Sequence, residues 1–144
     1  DHGVIAPLET SDSHDGVLRL PVPGEATSGK CHFQCRPLEQ RPEGPLSEYC
    51  NARRQIMDGA ALGDSLTVRT RRPGDRFRPM GMAGTKKLKD YFNDLGLTRA
   101  ERDRQLLVTK GDEIIWVVGH TISGSVAVSD ATTELVEIEM VRLL

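Results

Sequence analysis

The chain of 144 residues is poor in aromatic side chains, with one Trp, two Tyr and three Phe. So few rings argue against a protein that captures single-stranded bases, because such proteins stack each base on an exposed ring. No run approaches the roughly 18 apolar residues that a membrane-spanning helix needs. No basic-then-apolar leader stands near Asp1 either. These absences predict a cytoplasmic protein with no membrane partner. Cysteine is scarce and odd in number, at three, so reduced thiols are expected rather than a disulfide framework. Cys31 and Cys35 share one face of a predicted strand with Phe33, and core packing is the better reading of both. The four histidines (His2, His14, His32 and His120) are scattered. They supply no second ligand pair at metal spacing, so no metal site is expected. A start at Asp1 without Met reads as a piece of a longer protein.

What is present is charge, unevenly placed. From Arg69 to Arg104 there are eleven basic residues against five acidic ones, a local net of +6. The remainder carries 8 basic and 16 acidic residues, so the total of −2 hides a polarised molecule. Such asymmetry concerns partners, and the first candidate is a polyanion. Hydrophobic content of 38% and 144 residues suffice for one domain with its own core.

Residues 1–16 are polar and aperiodic, and are expected to be a tail or inter-domain linker. The domain proper is expected over residues 17–144. VLRLPV from Val17 fits a short edge strand, since Pro21 and Pro23 exclude a central one. GEATSG reads as a turn, and KCHFQCRPLE as the first alternating strand. SEYCNARRQI fits strand or helix, MDGAALGD a connector, and SLTVRTR a strand with Leu66 and Val68 on one face. Lys110-Gly111-Asp112 is a hairpin turn between LLVT and the apolar EIIWVVG, where Trp116 is expected in the core. TISGSVAVSDAT is expected to be loop. TELVEIEMVRL is expected to be a half-buried last strand, with Leu135, Glu137 and Glu139 on a solvated face. The fold class predicted is α+β: mostly antiparallel strands with two short helices inserted in the middle, as a single domain.

The first predicted helix opens at Gly84-Thr85, with Thr85 as N-cap and Gly96 as the residue that ends it. Leu88, Tyr91, Phe92 and Leu95 recur at i, i+3, i+4, i+7 and form its core stripe. Lys86, Lys87 and Lys89 would then fall in the first turn, against the helix dipole. One account is an anion held by free N–H groups, by the Gly81 to Gly84 approach and by three ammonium groups. The alternative is a solvated charged face. Pro73-Gly74 suits the middle of a type II turn. Asp75, among Arg71, Arg72, Arg76 and Arg78, reads either as a carboxylate orienting a guanidinium or as a salt bridge closing the turn. Thr98 to Glu101 is a capping box opening a second helix, which carries Arg99 and Arg102 on one side. No catalytic residue is assigned. A magnesium cage of Asp75, Asp90 and Asp94 is disfavoured by the lysines bunched beside it.

The stretch LTVRTRRPGDRFRPMGMAGTKKLKDYFNDLGLTRAERDRQLLV, followed by EIIWVVGHTIS, resembles the C-terminal domain of bacterial tRNA(Ile)-lysidine synthetases. The likeness covers about residues 45–140. Arg69, Gly74, Asp75, Arg76, Gly81, Gly84, Lys86, Lys87, Lys89, Asp90, Arg99 and Arg102 match its motif. Departures stand at Cys50-Asn51-Ala52, at Gln105 and at Thr121. The resemblance implies a parent ligase that converts the wobble cytidine of a CAU-anticodon isoleucine tRNA to lysidine, using ATP (with magnesium) and lysine. The phosphate loop for that chemistry is absent from this chain, so no cofactor is expected here. What the resemblance implies for this piece is docking of the tRNA acceptor stem. The expected contacts are Arg69, Arg71, Arg72, Asp75, Arg76, Arg78, Lys86, Lys87, Lys89, Arg99 and Arg102, with Gly74, Gly81 and Gly84 as turn or phosphate-approach positions. Other partners considered are the remaining domains of the parent enzyme and a second copy in a homodimer. The alternative reading is a packing module that makes no direct RNA contact.

Overall fold

The structure, a computed structural model, describes residues 17–143. The tail expected over residues 1–16 lies outside the described residues. Among the described residues ten strands alternate with short helices. In chain order they are β1 (Leu18–Pro21), β2 (Gly24–Ser28), β3 (Cys31–Leu38), β4 (Arg54–Asp58), β5 (Ser65–Arg69), β6 (Arg76–Phe77), β7 (Lys86–Lys87), β8 (Leu107–Lys110), β9 (Glu113–Val117) and β10 (Leu135–Arg142). The helices are α1 (Gly59–Leu62), α2 (Leu88–Leu95) and α3 (Arg99–Arg104).

Two four-stranded sheets, ordered β1-β5-β8-β9 and β2-β3-β10-β4, form a sandwich. All their pairings are antiparallel. Alternation along β3 decides its inner face: Cys31, Phe33 and Cys35 are buried while Gln34 and Arg36 are exposed. Opposite them Leu66 and Val68 of β5, with Ile115 and Trp116 of β9, close one continuous core. Trp116 is fully buried, and its indole N–H has no partner among the described residues. Burial raises the Cys31 thiol pKa and pushes that of Cys35 up to about 12, as expected of small apolar core groups.

The first sheet has a second buried face. Leu107, Ile114 and Val117 turn away from the sandwich core and meet Phe77, Leu88, Tyr91 and Phe92. This third layer consists of α2 and the two-stranded ribbon β6–β7. Tyr91 meets Phe77 edge to face, with ring centroids 5.1 Å apart. The stripe predicted for α2 is the one that packs, and Gly96 ends the helix in the left-handed region at φ +73°.

Several expectations are corrected. Residues 24–28 are not a turn but edge strand β2, paired with β3 from Gly24↔Cys35 to Ser28↔Cys31. Small and polar residues there mask a strand whose partner, not its propensity, decides its state. MDGAALGD is not only a connector, because Asp58 accepts from Ala60 N–H and caps the single-turn α1. The ambiguous 47–56 segment divides into a 3-10 turn at Leu46–Tyr49 and the start of β4. The outer side of β10 is not simply solvated: Glu137 is buried, with Arg36 Nε 2.7 Å from Oε1. Arg54 Nε lies 3.7 Å from its other oxygen, so two arginines cover the carboxylate. Helix α2 begins later than predicted. Lys86 and Lys87 pair with Phe77 and Arg76 in the ribbon, and Lys87 stands at the N-cap without a side-chain cap bond. Thr85 is no cap, because its hydroxyl accepts from Arg76 Nε at 3.1 Å. Of the three lysines only Lys89 lies in the first helical turn, where Asp90 offsets it.

Candidate nucleic-acid interface

The site is built on one buried ion pair. Arg69 ends β5 and is only 5% exposed. Its two terminal nitrogens donate to both carboxylate oxygens of Asp75, at 3.0 and 2.9 Å. Asp75 Oδ2 also accepts from Arg72 N–H at 2.7 Å, and Asp75 N–H donates back to the Arg72 carbonyl at 3.2 Å. That closes the turn Arg72-Pro73-Gly74-Asp75, with Gly74 at φ +84° as its third residue. Of the two readings of Asp75, the geometry is that of the salt bridge closing the turn, and its guanidinium partner is buried Arg69. The fork-to-fork pair also puts Arg69 in the frame and not on the face.

The turn, the end of β7 and the start of α2 enclose a cleft of about 700 Å³. It is lined by Arg71, Arg72, Pro73, Gly74, Asp75, Arg76, Lys87, Leu88, Lys89 and Phe92. Leu88 and Phe92 belong to the outer core and root the cleft in the fold. Leu88 N–H donates to the Asp75 carbonyl at 2.9 Å, so the turn and the helix start are tied together. Arg71 is steadied by Asp103 Oδ1 at 2.7 Å, and Arg76 by Thr85. Lys87 and Lys89 are exposed and have no side-chain partner among the described residues. Five cationic side chains thus converge where the one lining carboxylate is already paired. Clustered like charges repel one another, and an anion in the cleft would relieve that cost.

The other predicted positions lie apart from the cleft lining. Lys86 pairs with Asp94. Arg102 donates to the Leu97 carbonyl at 2.9 Å and to Asn93 Oδ1 at 2.7 Å, which fastens α3 to the end of α2. Arg99 is exposed at the start of α3. Gly81 and Gly84 lie in the turn beyond the ribbon, Gly81 at φ +95°. Arg78 packs over Gly124, where an added Cβ would sit 3.3 Å from Nη2. Residues missed from sequence are Leu88 and Phe92 as cleft lining and Thr85 as the support of Arg76. Only the apolar stripe of α2 signalled the first two. The amide of Gln105, one of the departures, bonds the Leu106 and Val118 carbonyls at 2.9 and 2.7 Å and so fixes the exit from α3.

These features define a β-sandwich domain with a helical outer layer and a cation-lined cleft. The family model for the TilS substrate C-terminal domain matches residues 66–139. The tRNA(Ile)-lysidine synthase of Caldanaerobacter subterraneus subsp. tengcongensis is 46% identical over 126 residues, covering 85% of this chain and 26% of that protein. The synthase of Parabacteroides distasonis is 42% identical over 82 residues, covering 57% of this chain and 19% of its own length. A solved structure described as "Crystal structure of TILS C-terminal domain" superposes with a TM-score of 0.71 at 28% identity, covering 89% of this chain and 97% of the other. The chain belongs to the C-terminal domain family of the tRNA(Ile)-lysidine synthases. It spans about a quarter or less of the length of these curated relatives.

Proposed function

We propose that this chain is the tRNA-docking domain of a cytoplasmic, ATP-dependent tRNA(Ile)-lysidine synthetase. Residues 17–144 form the domain, and residues 1–16 are a tail or inter-domain linker. In this reading the parent enzyme activates the wobble cytidine of the CAU-anticodon isoleucine tRNA with ATP and magnesium, then adds lysine. The present chain performs no chemistry. It supplies affinity and orientation by gripping the acceptor stem, and it packs against the parent's other domains.

The observation that carries this reading is the cleft, with Lys87 and Lys89 unpaired beside Arg72 and Arg76 on a turn locked by Arg69–Asp75. Duplex RNA is recognised by backbone and shape, which needs fixed cations and few rings. The test is binding of the chain to an isoleucine CAU tRNA transcript across a salt series. Each neutralised phosphate adds about 0.7–0.9 to the slope of log K against log salt. The variant Lys87→Ala/Lys89→Ala should lower that slope by roughly 1.5 while leaving the fold intact. Folded wild-type protein that fails to bind even at low salt would overturn the proposal.

A further inference from the structure

Four large apolar side chains are exposed among the described residues, and two of them, Met80 and Met82, crown the turn beyond the ribbon at 53% and 43%. The turn is rigidly held. Met82 N–H donates to the Pro79 carbonyl at 3.0 Å, closing a tight turn with Gly81 at φ +95°. Met80 N–H donates to the Ile122 carbonyl at 3.0 Å, Gly124 N–H to the Arg78 carbonyl at 3.2 Å, and buried Pro79 bridges Ser123. Two soft thioethers are therefore held out by a turn pinned to the core. The ribbon that carries them is basic, with Arg76 and Arg78 before the tip and Lys86 and Lys87 after it. At about 3.3 Å per residue, Met80 lies no more than about 13 Å from the cleft residue Arg76.

We propose that the Met80–Met82 tip is a second RNA contact, seated in the minor groove of the duplex whose phosphates the cleft holds. This rests on the docking function proposed above and deepens it. Thioethers gain nothing from phosphate; they need an apolar surface, and along an RNA duplex that surface is the ribose and base edge of the minor groove. In A-form RNA that groove is wide and shallow, open to a blunt turn, whereas B-form DNA presents a groove only about 6 Å wide. The flexible thioether stem of methionine adapts to the surface it meets. The flanking cations explain why the partner of this apolar tip is RNA and not a protein surface of neutral character.

The test is anisotropy titration with an RNA dumbbell closed at both ends, beside DNA of the same sequence. Met80→Gln/Met82→Gln should weaken RNA binding roughly tenfold, as loss of an anchoring pair does. Its salt slope should be unchanged, because no phosphate contact is removed. Met80→Leu/Met82→Leu should bind like wild type, and the preference for RNA over DNA should shrink in the Gln variant. If wild type binds and Lys87→Ala/Lys89→Ala weakens it while the Gln variant binds normally, the docking function stands and this inference falls. A slope that changes in the Gln variant would also refute it. No binding by wild type would overturn both.

Discussion

Asp75→Ala should be strongly destabilising, although Asp75 need not touch RNA. The side chains of Arg69 and Asp75 are only 6% and 10% exposed, so their charges answer each other under cover. Without the carboxylate, Arg69 keeps one acceptor among the described residues, the Thr70 carbonyl at 3.0 Å, and Arg72 N–H loses its own. Breaking a buried pair from one side costs about 3–5 kcal/mol, whereas removing both charges together can be nearly neutral. The double variant Arg69→Met/Asp75→Ala should therefore cost less than the sum of the single changes, with a coupling of about 2 kcal/mol or more. Urea unfolding followed by emission of the buried Trp116 measures all four corners of that cycle. Asp75→Ala within about 0.5 kcal/mol of wild type, the range of ordinary surface changes, would refute the reasoning. Strict additivity of the two single changes would refute it equally.

Burial raises the Cys31 thiol pKa and pushes that of Cys35 up to about 12, so in the folded protein both should resist a disulfide reagent at pH 8. Half-buried Cys50 should react first, and the kinetics of thiol release check this. Thr98→Ala removes one arm of the α3 capping box and should cost about 1 kcal/mol in urea melts. The other arm, Glu101, is held below the usual carboxylate range first by its hydrogen bond from Thr98 N–H. Its contribution is complete above its unfolded pKa and fades as pH falls through the lower folded value, and Glu101→Gln should remove that part of the acid dependence. Gly59→Ala places a Cβ 2.9 Å from Val136 Cγ2 and 3.2 Å from Glu134 Cβ, so overpacking should cost about 1–3 kcal/mol by denaturation.

The parts of this fold legible in sequence were those governed by neighbours along the chain. The β3 alternation, the α2 stripe, the Pro73-Gly74 turn and the Thr98 capping box each follow from residues within one or two turns. What stayed hidden depends on distant partners. GEATS becomes β2 because β3 offers it a free edge, and Lys86–Lys87 become ribbon because Arg76–Phe77 pair with them. Glu137 looks solvent-facing by period, yet Arg36, 101 positions earlier, covers it. The candidate site was legible as a charge cluster but not as a geometry. Nothing local separates Arg69, sealed against Asp75, from Arg76 at the cleft, or says that Arg102 braces α2. The Met-Gly-Met tip carried a local sign, two apolar residues around a turn glycine, which only its exposure in the fold made meaningful.

The central claim is that the locked turn and the start of α2 form the surface that grips tRNA. The most direct measurement is amide chemical-shift mapping of the chain titrated with an acceptor-stem hairpin. The largest changes should fall at Arg71 to Arg76, Lys87 and Lys89, saturating together and disappearing at high salt. Changes confined to the far face of the second sheet, around Gln34, Arg36 and Glu139, would contradict it, as would a spectrum that RNA leaves unchanged.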